Sequence, residues 1–190
     1  MKAQKLVLCA MFAALIAIGA FLKVPVPVMP FTMQTMFVSL AGLLLGKRLG
    51  AVSVLVYIAV GLLGLPVFVN GGGPGYVLQP TFGYLIGFVL GAYLCGWMVE
   101  RRGADKRGTL LLGCLCSLAA TYALGLVYYF FITNFYFHSF IGVQAMLWYC
   151  FAATLPGDFL TSLAAVWLAK RILPVLGRTL PASGAPAKRG

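Results

Sequence analysis

Six apolar runs divide this chain, and their length leaves little choice of solvent. They cover Val7–Leu22, Gln34–Leu45, Val52–Leu65, Phe82–Val99, Leu110–Ile132 and Ala145–Leu173. A helix needs about 20 apolar residues to cross the hydrocarbon core of a bilayer. Within that core every backbone polar group must find an internal partner, which a helix provides. The second and third runs are short for a crossing, so they are expected to tilt, to draw on flanking residues or to lie in protein-lined space. Only 9% of the 190 residues are charged and 62% are hydrophobic, whereas soluble domains carry about 25% charged residues. The chain has no polar shell to face water and no room for a soluble catalytic or nucleotide-binding domain. The expected fold is an all-α membrane protein, a compact bundle of six transmembrane helices formed by residues 1–180. Residues 181–190 (PASGAPAKRG) are small, polar and proline-containing, and are expected to form a flexible tail.

The net charge of +11 invites a nucleic-acid reading, but the placement of the basic residues argues against it. Lys2 and Lys5 precede the first run, and Lys47 and Arg48 separate the second from the third. Arg101, Arg102, Lys106 and Arg107 separate the fourth from the fifth, while Lys170, Arg171, Arg178, Lys188 and Arg189 end or follow the sixth. With six crossings all of these fall on one side and only Lys23 on the other. Positive residues gather on the cytoplasmic side, so both N- and C-termini are expected in the cytoplasm of a bacterial or archaeal cell, as a multi-pass plasma-membrane protein. The charge is a topology signal suited to membrane lipid with an anionic inner leaflet. The first run has a signal peptide's charged start but no convincing cleavage site, and is read as retained.

Three acids occur in the whole chain. Glu100 and Asp105 lie in the basic segment after the fourth run, whereas Asp158 interrupts the sixth. A carboxylate at membrane depth costs about 2.5–3.5 kcal/mol by insertion scales, so such groups usually face a cavity, a partner or a substrate. Asp158 is therefore the leading candidate for function. Cys9, Cys95, Cys114, Cys116 and Cys150 sit inside apolar runs without metal or redox spacing, and read as free thiols packed as small hydrophobes. His138 reads as a surface residue. With no paired acid, metal cluster or Ser/His arrangement, neither catalysis nor a cofactor is expected. An autonomous secondary transporter would use more ionisable residues at membrane depth than one aspartate.

Two of the outward connections are unusual. Residues 23–35 (KVPVPVMPFTMQT) contain three prolines, which hold the backbone extended, yet the segment is apolar. A stiff apolar lid over a pocket explains that combination better than a linker. Residues 64–81 (GLPVFVNGGGPGYVLQPT) contain glycines between Gly71 and Gly75 that allow unusual backbone angles and close approach of a ligand. Neither this stretch nor Gly42–Arg48 has the order of a phosphate loop. Gly83, Gly87 and Gly91 recur every fourth residue and offer a flat face to a neighbouring helix. Ala10/Ala14 and Ala13/Ala17 do the same on the first run, either within the chain or toward a separate subunit.

Several of these stretches together resemble one family. They are Pro27-Val-Met-Pro-Phe-Thr-Met-Gln-Thr35 with Ala41-Gly-Leu-Leu-Leu-Gly46, Gly61-Leu-Leu-Gly-Leu-Pro-Val-Phe68, the glycine connection, Pro80-Thr-Phe-Gly-Tyr84 and Leu155-Pro-Gly-Asp158. In this order they resemble the BioY family, the biotin-specific S components of energy-coupling-factor (ECF) vitamin transporters, over nearly the whole chain. The resemblance implies a six-helix protein that binds biotin at a pocket open to the outside. It also implies partnership with a transmembrane coupling subunit and two cytoplasmic ATPase subunits, docked on the small-residue face of Ala10, Ala13, Ala14 and Ala17. One position departs from the family: Thr161 stands where a lysine is common three residues after the aspartate.

Biotin offers two urea N–H donors, a urea carbonyl, an apolar thioether ring and a carboxylate tail. An ionised aspartate only accepts hydrogen bonds, so Asp158 suits the urea N–H groups and repels the tail. Gln79, Asn70 and Gln34 are candidate donors to the urea carbonyl, Gln79 foremost, with Gly73 allowing close approach. Phe31, Phe68, Tyr84 and Trp148 are candidate walls. Lys23 is a candidate attractor for the tail, or a snorkelling anchor. Charge alone also admits an S component for a cationic vitamin such as thiamine; the PFTMQT and GLPVF stretches favour biotin.

Overall fold

The computed structural model describes residues 2–24, 31–104, 106–137, 142, 144, 148 and 154–179. Prolines 25, 27 and 30 of the expected lid, His138, Cys150 and the tail at 181–190 lie outside the described residues, as does most of 145–153. Helix α1 (Lys2–Phe21) leads into a short antiparallel pair, β1 (Lys23–Val24) and β2 (Phe31–Thr32), in which Lys23 faces Thr32 and Val24 faces Phe31. Helix α2 (Gln34–Leu62) follows, then a 3-10 turn (Pro74–Leu78) in the glycine connection. Helices α3 (Phe82–Arg102) and α4 (Arg107–Phe131) come next, α4 continuing as a π-helical turn (Ile132–Tyr136), and α5 (Leu155–Thr179) ends the described chain. Four of these helices, all but α5, are long and apolar enough to cross a membrane.

The expectation of six helices is corrected by this architecture, which has five helices among the described residues. The two runs expected at 34–45 and 52–65 are two helical arms of one continuous element, α2, that meet at a kink without an intervening loop, and Lys47 and Arg48 are helical. The cause is Gly46, at φ 80° and ψ 177°, a conformation open to glycine that turns the chain within a single residue. The arms fold back on each other. Gln34 Nε2 donates to Tyr57 Oη at 2.8 Å, although 23 residues of straight helix would separate them by about 35 Å.

Glu100 of α3 caps the reversal. Its Oε1 accepts the Lys47 backbone N–H at 3.0 Å and its Oε2 pairs with Lys47 Nζ at 3.0 Å. Gly96 allows this approach, since a Cβ there would lie 2.3 Å from the Lys47 nitrogen. Glu100→Ala is expected to lower stability by about 1–2 kcal/mol, the loss of a charge-assisted backbone bond. Thermal unfolding in detergent checks this, and an unchanged midpoint would show the reversal to be held by Gly46 alone.

Packing explains the glycine spacing on α3. A Cβ at Gly83 would lie 2.2 Å from Tyr128 Cβ, at Gly87 2.7 Å from Thr121 Cα, and at Gly91 2.6 Å from Ser117 Oγ. The three glycines thus form the flat face expected of them, and α4 lies against it. One apolar core joins Ile16, Val38, Tyr57, Phe68 and Phe88, carrying the glycine connection down onto α2 and α3. A second joins Leu40, Cys95, Leu110, Ala165 and Ala169, with Leu49, Val99 and Leu173 against it. The basic residues beside that second core, Lys47, Arg48, Arg101, Arg102, Lys170 and Arg171, therefore gather at one end of the bundle. Cys9, Cys95, Cys114 and Cys116 are free thiols.

Candidate functional site

Asp158 belongs to the first turn of α5, where the unpaired N–H groups of a helix favour negative charge. Pro156 is tolerated in that turn because its missing N–H has no partner to lose there. Gly157 brings the lid residue Phe31 onto the helix start, since a Cβ at this position would lie 2.6 Å from Phe31 Cε2. Asp158 is 8% exposed. Its Oδ2 accepts a hydrogen bond from the Tyr122 hydroxyl, and Thr35 lines the same cavity. Tyr122 Oη lies 2.8 Å from Thr154 Oγ1.

These groups line a small cavity, with about 330 Å³ of empty space when its open mouth is included. Phe31 and Thr32 cover it from β2, Thr35 comes from the first turn of α2, and Tyr84 and Phe88 from α3. Thr121 and Tyr122 contribute from α4, and Thr154 and Asp158 from the start of α5. The site is thus apolar and aromatic on its walls and carries hydroxyls and one carboxylate on its polar side. Tyr84 meets Tyr122 edge to face, with ring centroids 6.1 Å apart. Gly125 makes room for the Tyr84 ring, 2.5 Å from where a Cβ would stand.

Of the residues expected at the site, the structure brings together Asp158, Tyr84 and Phe31. Gln34 is buried but faces Tyr57 and Thr32, and Tyr57 in turn donates to the Val67 carbonyl at 3.2 Å, tying the glycine connection to α2. Phe68 is 1% exposed and packs on Tyr57 and Tyr76, so it anchors that connection rather than lining the cavity. Burial pushes the Tyr76 phenol above its usual range. Gly73, at φ 104°, donates its N–H to the Gly61 carbonyl at 2.7 Å. Asn70, Gln79 and Trp148 are exposed and do not line the cavity. Lys23 is exposed and donates through Nζ to the Val69 carbonyl at 3.1 Å, fastening the hairpin to the glycine connection. On α1, Ala10 and Ala14 face outward, Ala13 is buried and Ala17 is half-buried against the first core.

Thr161, at the position of the family lysine, is buried and its hydroxyl donates to the Asp158 carbonyl at 3.0 Å; Ser162 does the same at 2.8 Å. Among the described residues the one ion pair is Lys47–Glu100, so Asp158 is met by hydroxyls and a helix start. Sequence reasoning missed Tyr122, Thr35, Thr121 and Thr154. The available signals were the Thr121–Tyr122 pair inside an apolar run and Thr154 four residues before Asp158, the spacing that stacks side chains along a helix.

Comparison with known proteins bears on this site. The sequence model of the BioY family matches residues 1–178. A protein of Lysinibacillus sphaericus described as a probable biotin transporter BioY is 44% identical over 170 residues, covering 90% of this chain and 87% of its own length. The biotin transporter BioY of Thermotoga maritima is 36% identical over 152 residues, covering 77% of this chain and 86% of its own. The crystal structure of an S-component for biotin from an ECF-type ABC transporter superposes with a TM-score of 0.79 at 27% identity, over 90% of this chain and 91% of that one. With helices of spanning length and transporters as relatives, this is a multi-pass membrane protein.

Proposed function

The chain belongs to the BioY family, and from that membership we propose that it captures biotin for an ATP-driven ECF uptake transporter. The observation that carries this reading is the buried carboxylate of Asp158 at the polar side of a small aromatic-walled cavity. An ionised carboxylate offers about four acceptor positions. Tyr122 uses one of them, which leaves acceptors for the two urea N–H groups of biotin. Phe31, Tyr84 and Phe88 pack on the fused rings, and the carboxylate tail points away from Asp158, with the exposed Lys23 of β1 to attract it.

The protein is a non-enzymatic membrane subunit that binds and orients its ligand. ATP hydrolysis belongs to two cytoplasmic ATPase subunits, reached through a transmembrane coupling subunit that docks on the outward face of Ala10 and Ala14. The basic end of the bundle faces the cytoplasm, with both chain termini on that side, and the cavity opens outward.

Purified protein in detergent is expected to bind one biotin, measured by isothermal titration calorimetry. Desthiobiotin, which keeps the cyclic urea, is expected to bind as well, and thiamine is not. Thiamine binding without biotin binding would overturn the reading.

A further inference from the structure

We propose that Tyr122 is a positioning residue that holds the Asp158 carboxylate as an acceptor through a one-way relay of hydroxyl protons starting at Thr154. This rests on the biotin reading and deepens it, because it says what makes the site select a ligand that brings hydrogen-bond donors.

A tyrosine hydroxyl carries one proton. Tyr122 gives that proton to Asp158 Oδ2, so at its 2.8 Å contact with Thr154 Oγ1 it must accept, and Thr154 must donate. The relay runs Thr154 to Tyr122 to Asp158 and joins α4 to the first turn of α5. All three side chains are buried, at 4%, 5% and 8% exposure respectively. Tyr122 packs edge to face with the Tyr84 ring, with centroids 6.1 Å apart, which braces it in the cavity wall. Hydrogen bonds in series polarise one another in a low-dielectric setting, so the Thr154 bond strengthens the donor that Tyr122 offers. The effect on Asp158 is geometric and electronic together: one oxygen is tied toward α4, and the rest of the carboxylate is presented to the cavity. A ligand group meeting it there has to be an N–H or O–H. An acceptor or an anion would face only lone pairs.

The test is a double-substitution cycle read by biotin calorimetry, with thermal unfolding of each variant as the control for folding. Tyr122→Phe keeps the ring and removes the proton, and is expected to weaken biotin binding about tenfold, the loss of a bond to a charged group. Thr154→Val is expected to weaken it about threefold, a second bond acting through the first. Thr154→Ser, which restores the hydroxyl, is expected to bind as the wild type does. In the Tyr122→Phe background, Thr154→Val is expected to change nothing further, since the relay is already cut. Unchanged affinity in Tyr122→Phe overturns the inference, and so does an equal loss from Thr154→Val in both backgrounds, which marks a merely structural role. A wild-type chain that binds no biotin overturns the functional reading and this inference with it. Intact wild-type binding with an indifferent Tyr122 overturns the inference alone.

Discussion

Asp158→Asn is expected to weaken biotin binding about 100-fold, toward the upper end of the roughly 1.5–3 kcal/mol that a hydrogen bond to a charged group contributes. Asparagine has the size and shape of aspartate, and its amide oxygen can still accept the Tyr122 proton. The contact between α4 and α5 is therefore kept, and the thermal midpoint is expected to stay near that of the wild type. What changes is the side offered to the ligand. A group with only acceptors is replaced by one whose NH₂ confronts the ligand's own N–H donors, so a favourable pair becomes two donors facing each other. Calorimetry at fixed salt measures the loss. Unchanged affinity would remove Asp158 from the site, and a collapse of the folded state would show that the carboxylate serves the bundle rather than the ligand.

The prominence of Asp158 was legible in the sequence for an energetic reason: three acids in 190 residues make a lone acid inside an apolar run conspicuous. Phe31 and Tyr84 were legible because they are aromatic residues beside the proline- and glycine-rich connections, suited to the apolar walls that a ligand pocket needs. Tyr122 and Thr154 were not, because a tyrosine in an apolar run reads as a packing aromatic, and a threonine hydroxyl bonds readily to its own helix backbone, as Thr121 does to the Ser117 carbonyl at 2.8 Å. Only the approach of α4 to the start of α5 brings the Tyr122 hydroxyl to both Asp158 and Thr154. The course of α2 was hidden for a different reason. Lys47 and Arg48 carry the composition of a loop, yet the turn is made by Gly46 alone and closed by Glu100, which lies 53 residues from Lys47. Gln79 and Asn70 lie outside the cavity lining. Their neighbours suggested a binding loop, but that loop reaches the core through Phe68 and Tyr76, leaving the polar residues on the outside.

Gly87→Val is expected to lower stability by about 2–3 kcal/mol, the cost of forcing carbon into a filled contact, and to abolish biotin binding in the protein that still folds. A Cβ at Gly87 would lie 2.7 Å from Thr121 Cα and 2.8 Å from the Thr121 carbonyl oxygen. These are backbone atoms, so no side-chain rotation relieves the clash and α4 has to move away from α3. Thr121 and Tyr122 both line the cavity, and they travel with α4. The Tyr122 hydroxyl then leaves Asp158, and the cavity loses the spacing between Tyr84 and Tyr122 that bounds it. A glycine-to-alanine change at Gly75 is the matched control, because nothing lies within 4 Å of its added carbon; it is expected to leave both melting and biotin binding as they were. Thermal unfolding and calorimetry on the two variants separate the outcomes. If Gly87→Val melts like the wild type, the close crossing of α3 and α4 does not hold the bundle together. If it melts early yet binds biotin with full affinity at low temperature, the crossing supports the fold without setting the geometry around Asp158.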